Sequence, residues 1–197
     1  MSGYIGSKRS SSLVSFDEGT IGSGVVFPAG HIVQVQYANF HGIKELTAPV
    51  NSWTDLPELA VEFTCKTANP KIFLQGQVLW SSGVNSGWMG AHIKYIKQVG
   101  TANWTDVQVN SGNHGGQVSS NQGGLPYVVD AHYTEPFTYT WVDTLTCSAG
   151  TTLKFRPQVI SSGYTNYEKI RINYVVVTGT NYSGSGTSNL TVMEIQS

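Results

Sequence analysis

Residues 188–197 read SNLTVMEIQS, and this stretch decides the fold because it closes the sequence on a strand-like pattern. Leu190 and Val192 alternate with Thr191, which is the period of a β-strand with one buried face. Terminal residues fray unless they pair with other structure. In antiparallel double-sheet folds the first and last strands commonly lie side by side. We therefore expect this segment to pair with residues 31–40, HIVQVQYANF.

The same alternation of apolar and polar residues continues through most of the sequence after residue 30. In HIVQVQYANF, Val33, Val35 and Tyr37 share one face of the strand, whereas Gln34 and Gln36 share the other. The pattern predicts a strand with one apolar face and one polar face, which lie in different environments.

Three further stretches predict how individual strands are placed in a sheet. The run LAVEF puts Leu59, Val61 and Phe63 on an inward face. Residues 71–80, KIFLQGQVLW, are apolar on both faces, which is typical of a central strand that is covered on both sides. In TLKFRPQV, Pro157 lacks a backbone N–H, so we expect the second half of that strand to lie at a sheet edge or a bulge.

These patterns predict an all-β fold with one sandwich domain and an arm. About eight to ten short strands, joined by Gly, Asn and Ser turns, favour an antiparallel β-sandwich that is jelly-roll-like. No helix-period stretch of ten or more residues is found in the sequence. Residues 1–29 mix Ser, Gly and charge without a sustained period, so we predict an extended N-terminal arm there and the sandwich over residues 30–197.

The composition disfavours partners that are recognised by charge. Charged residues make up 12% of the 197 residues and the formal net charge is −1, against about 25% charged residues in a typical soluble domain. A nucleic-acid groove or an anionic membrane surface would need clustered basic residues. No run approaches about 18 apolar residues, and the first residues lack the apolar core of a signal peptide. We expect a protein made in the cytosol, with no nucleic-acid or membrane partner.

No pattern of residues predicts catalysis, a cofactor or a metal site. Asp130 and Glu135 could be imagined as a glycosidase acid pair, but nothing in the sequence selects them. Asp143 is better explained as an acceptor of strand-end hydrogen bonds than as a catalytic acid. No nucleophile elbow or phosphate loop occurs. The histidines show no metal-ligand spacing; they are His31, His41, His92, His114 and His132.

Two cysteines follow strand-like runs and could be neighbours in space. Cys65 ends AVEFTC and Cys147 ends DTLTC. A disulfide between them is one alternative, but two free thiols are favoured for a protein made in a reducing compartment.

Four aromatic residues in or beside turn-rich segments are candidate ligand or interface residues. An exposed ring offers a stacking face for a sugar or an anchor for a protein interface. The alternative is that these rings close the ends of the sandwich. The residues are Trp88, Trp104, Tyr164 and Tyr167.

Three stretches together resemble a known family. They are SWTDLPELAVEFTCKTANPKIFLQGQVLW (residues 52–80), FTYTWVDTLTCSAGTTLKFRPQV (137–159) and SNLTVMEI (188–195). In order and spacing they are similar to a β-rich domain of virion proteins from marine and freshwater tailed phages. The leading SGYIG is similar to N-terminal segments of phage fibre and decoration proteins. Residues 83–124 depart from the family pattern, because they lack its expected strand and Gly/Ser-rich stretch.

The resemblance implies a jelly-roll-like virion protein, homotrimeric and held to the particle by its arm. A poorly patterned arm can become ordered on docking. The favoured function is a non-enzymatic capsid decoration, cement or head-fibre protein, whose partners are its own copies and other virion proteins. The alternative is a tail-fibre receptor-binding module that binds a host surface glycan, and a glycan-degrading enzyme is disfavoured. The docking residues would be Tyr4, Ile5, Leu13, Val14 and Phe16.

Overall fold

The computed structural model describes residues 29–47, 52–82, 91–107, 134–161, 169–176 and 183–197. These ranges contain thirteen strands and one 3₁₀ turn, Pro57–Leu59. Among the described residues there is no helix long and apolar enough to cross a bilayer. The strands are β1 (Ile32–Phe40), β2 (Lys44–Thr47), β3 (Thr54–Asp55), β4 (Val61–Thr64), β5 (Lys71–Ser82), β6 (Ala91–Val99), β7 (Thr105–Asp106), β8 (Thr134–Thr144), β9 (Thr152–Ser161), β10 (Lys169–Ile172), β11 (Tyr174–Val176), β12 (Ser183–Ser185) and β13 (Ser188–Ile195).

The strands form two main sheets with antiparallel pairing. The six-stranded sheet has the order β1-β13-β5-β10-β2, and β8 pairs with the other side of β5. The five-stranded sheet has the order β3-β9-β6-β7, with β4 also paired to β9. Strands β11 and β12 make a separate two-stranded sheet. The apolar core lies between the two main sheets.

The strand order is that of a jelly roll. If β3 and β4 count as one interrupted strand and the short β2, β10, β11 and β12 are set aside, eight principal strands remain. In chain order, one sheet then holds the first, eighth, third and sixth strands, and the other holds the second, seventh, fourth and fifth. The predicted fold class is therefore confirmed. The sequence predicts an arm over residues 1–29. Residues 1–28 lie outside the described residues, so the arm stays a prediction.

The terminal strand lies inside the sheet, as its pattern predicted. β13 pairs with β1 on one side, where Leu190 faces Ala38. On its other side it pairs with β5, where Val192 faces Leu74. Its residues alternate between buried and half-buried from Ser188 to the end of the strand. The predicted pairing of the first and last strands is confirmed, and β13 has a neighbour on both sides.

Strand β1 alternates as expected from Gln34 onward, after a register shift between Ile32 and Gln34 that breaks the period at Val33. Its apolar face is the exposed one. Val35 is 45% exposed and Tyr37 is 70% exposed. Gln34 and Gln36 are half-buried on the inner side. The physical reason is a polar group in the inner layer, because Gln34 Nε2 donates a hydrogen bond to the buried carboxylate of Glu194. The apolar residues of β1 therefore lie on the outer surface of the six-stranded sheet.

Of the two expectations for Pro157, the sheet edge is wrong, whereas an irregularity in the pairing, as in a bulge, is found opposite it. It lies in β9, which pairs with β6 on one side and with β4 and then β3 on the other. The Pro157 carbonyl accepts a hydrogen bond from Leu56 N at 3.0 Å, in the gap between β3 and β4. In a strand the N–H and C=O of one residue point the same way, so the missing donor falls where the neighbouring strand is already interrupted.

Strand β5 is central in its sheet, as predicted, but the expectation that it is covered on both sides is wrong. Its outer face is open among the described residues, with Gln75 exposed and Phe73 half-buried. Ile72, Leu74 and Val78 are fully buried between the sheets. From the opposite sheet Tyr95 reaches across the core and lies over Gly76. The inward residues predicted for LAVEF are also confirmed, since Leu59, Val61 and Phe63 are all buried.

Candidate functional site

Most of the residues predicted to bind a partner lie outside the described residues. The docking residues Tyr4, Ile5, Leu13, Val14 and Phe16 fall in residues 1–28, and Trp88, Tyr164 and Tyr167 fall in residues 83–90 and 162–168. Their roles therefore stay predictions. Trp104 is the one of the four ligand candidates that the structure describes.

Trp104 lies half-buried next to β7, and a cation covers one face of its ring. The guanidinium carbon of Arg156 is 4.1 Å from the ring centroid. Arg156 Nη2 also lies 2.7 Å from Asp55 Oδ2, so the guanidinium is held between a carboxylate and an aromatic ring. A cation at this distance is attracted by the π-face of the indole. The face of Trp104 that Arg156 covers is therefore closed to a stacking ligand.

Trp104 belongs to a network of paired charges on the outer surface of the five-stranded sheet. Lys94 Nζ lies 2.7 Å from Asp106 Oδ1 and 4.5 Å from the centroid of the Trp53 ring. Lys154 Nζ lies 3.2 Å from Glu62 Oε2. Each cation on this surface has an anion across a strand boundary, an arrangement that contributes a few tenths of a kcal/mol to about 1 kcal/mol per exposed pair. We call this surface the charged face.

The two ends of the sandwich are formed by different residues. At one end Gly30 N donates to Gln196 O and Gln196 N donates to His31 O, both at 2.8 Å. At the other end Ser82 of β5 faces Ile170. β5 has twelve residues, so the ends are separated by about 36 Å. We call them the Gly30 end and the Ser82 end.

The segments that carry three of the ligand candidates are anchored together at the Ser82 end. Residues 83–90, with Trp88, connect β5 to β6, and residues 162–168, with Tyr164 and Tyr167, connect β9 to β10. Their flanking residues face each other, because Ser82 pairs with Ile170 and Ala91 pairs with Ser161. The described residues on either side of both connections therefore lie at one end of the sandwich.

Trp104 is not part of that end. Its partner Arg156 faces Ile96 in the ladder, whereas the Ser82 end of the same ladder is Ala91 with Ser161. Five residues along a strand span about 17 Å. The four predicted aromatics therefore divide into one residue on the charged face and three in connections anchored at the Ser82 end.

Near the Gly30 end a buried carboxylate ties the last strand to the opposite sheet. Glu194 is 0% exposed. Its two oxygens accept hydrogen bonds from Lys66 N at 2.9 and 3.0 Å and from Thr67 N and Thr67 Oγ1, both at 2.8 Å. Gln34 Nε2 donates as well. Four neutral donors thus satisfy the charge, and the group acts as a structural clamp.

The two cysteines lie beside this clamp, and their predicted proximity is confirmed. The Sγ atoms of Cys65 and Cys147 are 3.7 Å apart, and both residues are free cysteines. Cys65 Sγ also donates to Ser148 O at 3.1 Å. Burial, assisted by Cys65 and by the charge of Glu194, raises the pKa of the Cys147 thiol to about 11. The Cys147 thiol is therefore protonated at neutral pH.

We expect Cys147 to react slowly with thiol reagents. At pH 8 a thiol with a pKa of about 11 is about 0.1% thiolate, against roughly a quarter for an ordinary cysteine. In the Cys65→Ser variant, whose single thiol is Cys147, the contribution of Cys65 to this pKa is lost, while burial and the charge of Glu194 still raise it. A disulfide reagent should therefore react at least about tenfold more slowly in buffer than in urea. A native rate equal to the unfolded rate would contradict the burial of this thiol.

Other titratable groups in the described residues have structural partners. Asp143 is exposed and its Oδ1 accepts a hydrogen bond from Thr144 N at 2.8 Å, which agrees with a strand-end role. Asp130 and the side chain of Glu135 lie outside the part of the chain that the structure describes. Within that part, no group of three or more His, Cys, Asp or Glu could hold a metal ion. His41 Nδ1 lies 3.0 Å from Thr187 Oγ1.

Comparison with known proteins gives likenesses to solved structures at low identity. No protein-family model matches the chain, and no curated protein matches it. A chain of the T13 particle of infectious bursal disease virus is similar, with 11% identity and a TM-score of 0.45 over 93% of this chain and 39% of that one. This chain thus spans about two-fifths of the viral chain's length. The Eiger TNF of S. frugiperda is also similar, with 11% identity and a TM-score of 0.36 over 82% of this chain and 92% of that one. The CBM22-1 xylan-binding domain of Paenibacillus barcinonensis Xyn10C has 9% identity and a TM-score of 0.32 over 87% and 99%.

Proposed function

We propose that the protein is a non-enzymatic structural component of a bacteriophage virion. It is a capsid decoration, cement or head-fibre protein that docks through residues 1–29 and assembles as a homotrimer. The observation that supports this is the division of the sandwich into two ends. The described chain begins beside Gln196 at the Gly30 end, so a docking arm emerges about 36 Å from the connections at the Ser82 end.

A docking arm on a rigid sandwich suits attachment to a repetitive particle. Its apolar residues become ordered against the particle surface, and each copy contributes a modest contact because ordering the chain costs entropy. Those residues are Tyr4, Ile5, Leu13, Val14 and Phe16. Copies that are linked in an oligomer bind together, so avidity compensates for weak single contacts.

The surroundings of the described acids support a non-enzymatic role. Glu194 is buried and fully hydrogen-bonded, which leaves no lone pair directed at a substrate. Asp55 and Asp106 are paired with Arg156 and Lys94 on the charged face. A general acid or base needs a carboxyl group within reach of a substrate and with a tuned pKa. The three acids instead connect strands.

The test is incorporation of arm variants into virions. Replacing Leu13, Val14 and Phe16 by serine in the full chain should abolish incorporation and leave the β-sheet circular dichroism and the thermal midpoint unchanged. Deletion of residues 1–24 should give the same result. A matched control is serine substitution of Ile43, an exposed residue of the β1–β2 turn, which should not affect incorporation. Virions that incorporate the arm variants at the normal level would contradict the proposal.

A second candidate function is a tail-fibre receptor-binding module for a host surface glycan. The described residues that flank the connections with Trp88, Tyr164 and Tyr167 favour it, because these flanking residues lie together at the Ser82 end. Aromatic rings that converge at one end can stack on sugar rings. Tyr164→Ala should abolish binding on a glycan array, and Trp104→Ala tests the charged face separately. An array on which the intact protein binds nothing would exclude this function.

A further inference from the structure

The outer surface of the six-stranded sheet differs from the charged face in composition. One row of side chains crosses four strands there, because Val35 faces Met193, Met193 faces Phe73, and Phe73 faces Val142. All four residues are apolar and at least partly exposed. Apolar side chains that are aligned across strands form a continuous stripe rather than scattered surface residues. We call the outer surface of β1, β13, β5 and β8 the uncharged face.

The row beside this stripe is polar without charge. Tyr37 faces Thr191, which faces Gln75, which faces Thr140. The next row repeats the chemistry with asparagine, glutamine and threonine side chains, starting at Asn39. The charged side chain that these strands direct outward is Lys71, in the last row at the Gly30 end. Hydroxyl and amide groups can donate and accept hydrogen bonds, so the rows can pair with a surface of the same kind.

The exposed large apolar side chains of the described residues concentrate on this surface. Of the five, Ile32, Val35, Tyr37 and Val142 lie on the uncharged face, and Ile43 lies in the β1–β2 turn. Large apolar side chains grouped on one surface mark an interaction site, whereas the same number scattered singly needs no explanation. The opposite sheet satisfies its outer surface with ion pairs. The six-stranded sheet also carries ion pairs on β10 and β2, where Lys169 and Arg171 pair with Glu45. The surface suited to a partner is therefore limited to the uncharged face, which these ion pairs border.

We propose that the uncharged face is the contact between copies of this chain. The inference deepens the proposed function, on which it rests for the existence of an oligomer, by naming the surface that the copies share. In a three-fold ring the face of one copy meets a different surface of the next copy, so it must not bury charges that the neighbour leaves without a partner. The uncharged face satisfies that condition over several rows. Interfaces between copies are depleted of charge at their centre and are enriched in Tyr, Phe and Met, which this face supplies at Tyr37, Phe73 and Met193.

The dimensions of the face predict the strength of the contact. Four strands at about 4.8 Å spacing and eight residues at about 3.4 Å rise give a footprint of roughly 500 Å². A stable interface of standard size buries about 800 Å² per partner. We therefore expect association that dissociates at roughly micromolar concentration in solution. Copies held together on a particle would remain associated through avidity.

Sedimentation velocity of the full chain between about 1 and 500 µM tests the proposal. We expect a concentration-dependent oligomer whose dissociation constant changes less than about threefold between about 0.05 and 0.5 M salt, because no charges meet. Val142→Lys should weaken association at least about 100-fold, since it buries a charge without a partner. Val142 is 50% exposed, so the monomer accommodates lysine.

Two controls separate the contact from general effects. Val142→Thr keeps the shape and adds no charge, and should change the dissociation constant by only a few-fold. Thr64→Lys puts the same charge on the outer surface of the five-stranded sheet, where Thr64 is exposed beside the charged face, and should leave association unchanged. Association that is abolished by Thr64→Lys or by salt would assign the contact to the charged face and overturn the proposal.

The remaining outcomes are also decisive. A chain that is monomeric at all concentrations, or an oligomer that is indifferent to Val142→Lys, overturns the inference. If that monomer binds a neutral polysaccharide and Val142→Lys abolishes the binding, the face is assigned to a glycan. Incorporation of the arm variants into virions is a separate measurement. If the arm variants are excluded from virions while Val142→Lys has no effect on association, the proposed function stands and the interface assignment fails. If the arm variants are incorporated while Val142→Lys prevents association, the proposed function fails and the interface assignment stands.

Discussion

Replacing Gly76 by alanine is expected to destabilise the protein by about 3 kcal/mol, although it adds a single methyl group. A Cβ atom at this position would lie 2.2 Å from Tyr95 Oη and 2.6 Å from Tyr95 Cζ. Such distances are far below van der Waals contact, so the tyrosine ring would have to move. Gly76 therefore holds the two sheets at their native separation in the middle of β5.

The ring of Tyr95 has little room to move. It is fully buried, and its centroid lies 5.4 Å from that of Tyr139 and 6.4 Å from that of Phe137, in stacked arrangements. A shift that relieves the clash with a new methyl group would disturb these stacks. Overpacking of this kind forces off-rotamer side chains and backbone shifts. The change cannot be absorbed by the far end of a flexible side chain.

Urea denaturation measures this effect, with a neighbouring residue as the control. Gln75→Ala changes the adjacent residue of β5, which points outward and is exposed, and should alter the free energy of unfolding by less than about 0.5 kcal/mol. In a Tyr95→Leu background, which removes the ring, Gly76→Ala should cost at least about 2 kcal/mol less. An equal cost in both backgrounds would show that the clash with Tyr95 is not the cause.

The sequence predicts that something approaches Gly76 but does not predict what. A glycine inside KIFLQGQVLW interrupts an apolar strand, and such a glycine often marks the close approach of another group. Tyr95 belongs to the other sheet, and its distance from Gly76 depends on how β5 and β6 pack across the core. Periodicity describes one strand at a time. It therefore finds central strands, such as β5, and leaves the contacts between sheets undetermined.

Strand β1 shows a related limit. Alternation separates Val35 and Tyr37 from Gln34 and Gln36, but it does not say which set faces the core. The outcome depends on β13, because Gln34 is opposite Glu194 in the ladder. Glu194 lies on the inner face of β13. Its partner Gln34 therefore lies on the inner face of β1, where it donates a hydrogen bond to Glu194. The two strands have to be considered together to obtain the correct face.

The candidate ligand residues were found by their type and not by their surroundings. Trp104 was predicted from its position near a turn, and the sequence gives no sign that Arg156 covers one face of its ring. That contact depends on the register of β6 with β9, where Ile96 faces Arg156. Residues far apart in the sequence meet through strand pairing, which the pattern of a single strand does not fix.

The role of Glu194 could have been read from the terminal strand itself. It shares the parity of Leu190 and Val192, so the same alternation that predicts a buried face places a carboxylate on it. A buried carboxylate needs several donors. Two of those donors are the backbone N–H groups of Lys66 and Thr67, which no side-chain pattern reveals. The sequence thus contains the signal for a buried acid and lacks the signal for its partners.

Replacing Glu194 by glutamine is expected to cost about 3 to 4 kcal/mol of folding free energy. Glutamine has nearly the same shape, but its amide nitrogen is a donor, and the cavity supplies donors on every side. In either orientation the NH₂ group of glutamine would replace one carboxylate oxygen. It would then face the N–H or O–H donors that now bind this oxygen. The loss should exceed that of an ordinary surface hydrogen bond because Glu194 is fully buried.

The measurement is urea denaturation at pH 7, with Glu62→Gln as the matched control. Glu62 has the same side chain, but its side chain is 59% exposed and is paired with Lys154 at 3.2 Å, so its replacement should cost less than about 1 kcal/mol. Hydrogen exchange should show that Glu194→Gln selectively exposes the amides of Lys66 and Thr67 and those of β13. A cost equal to that of Glu62→Gln would mean that the terminal strand is held by its ladder alone, without the carboxylate clamp.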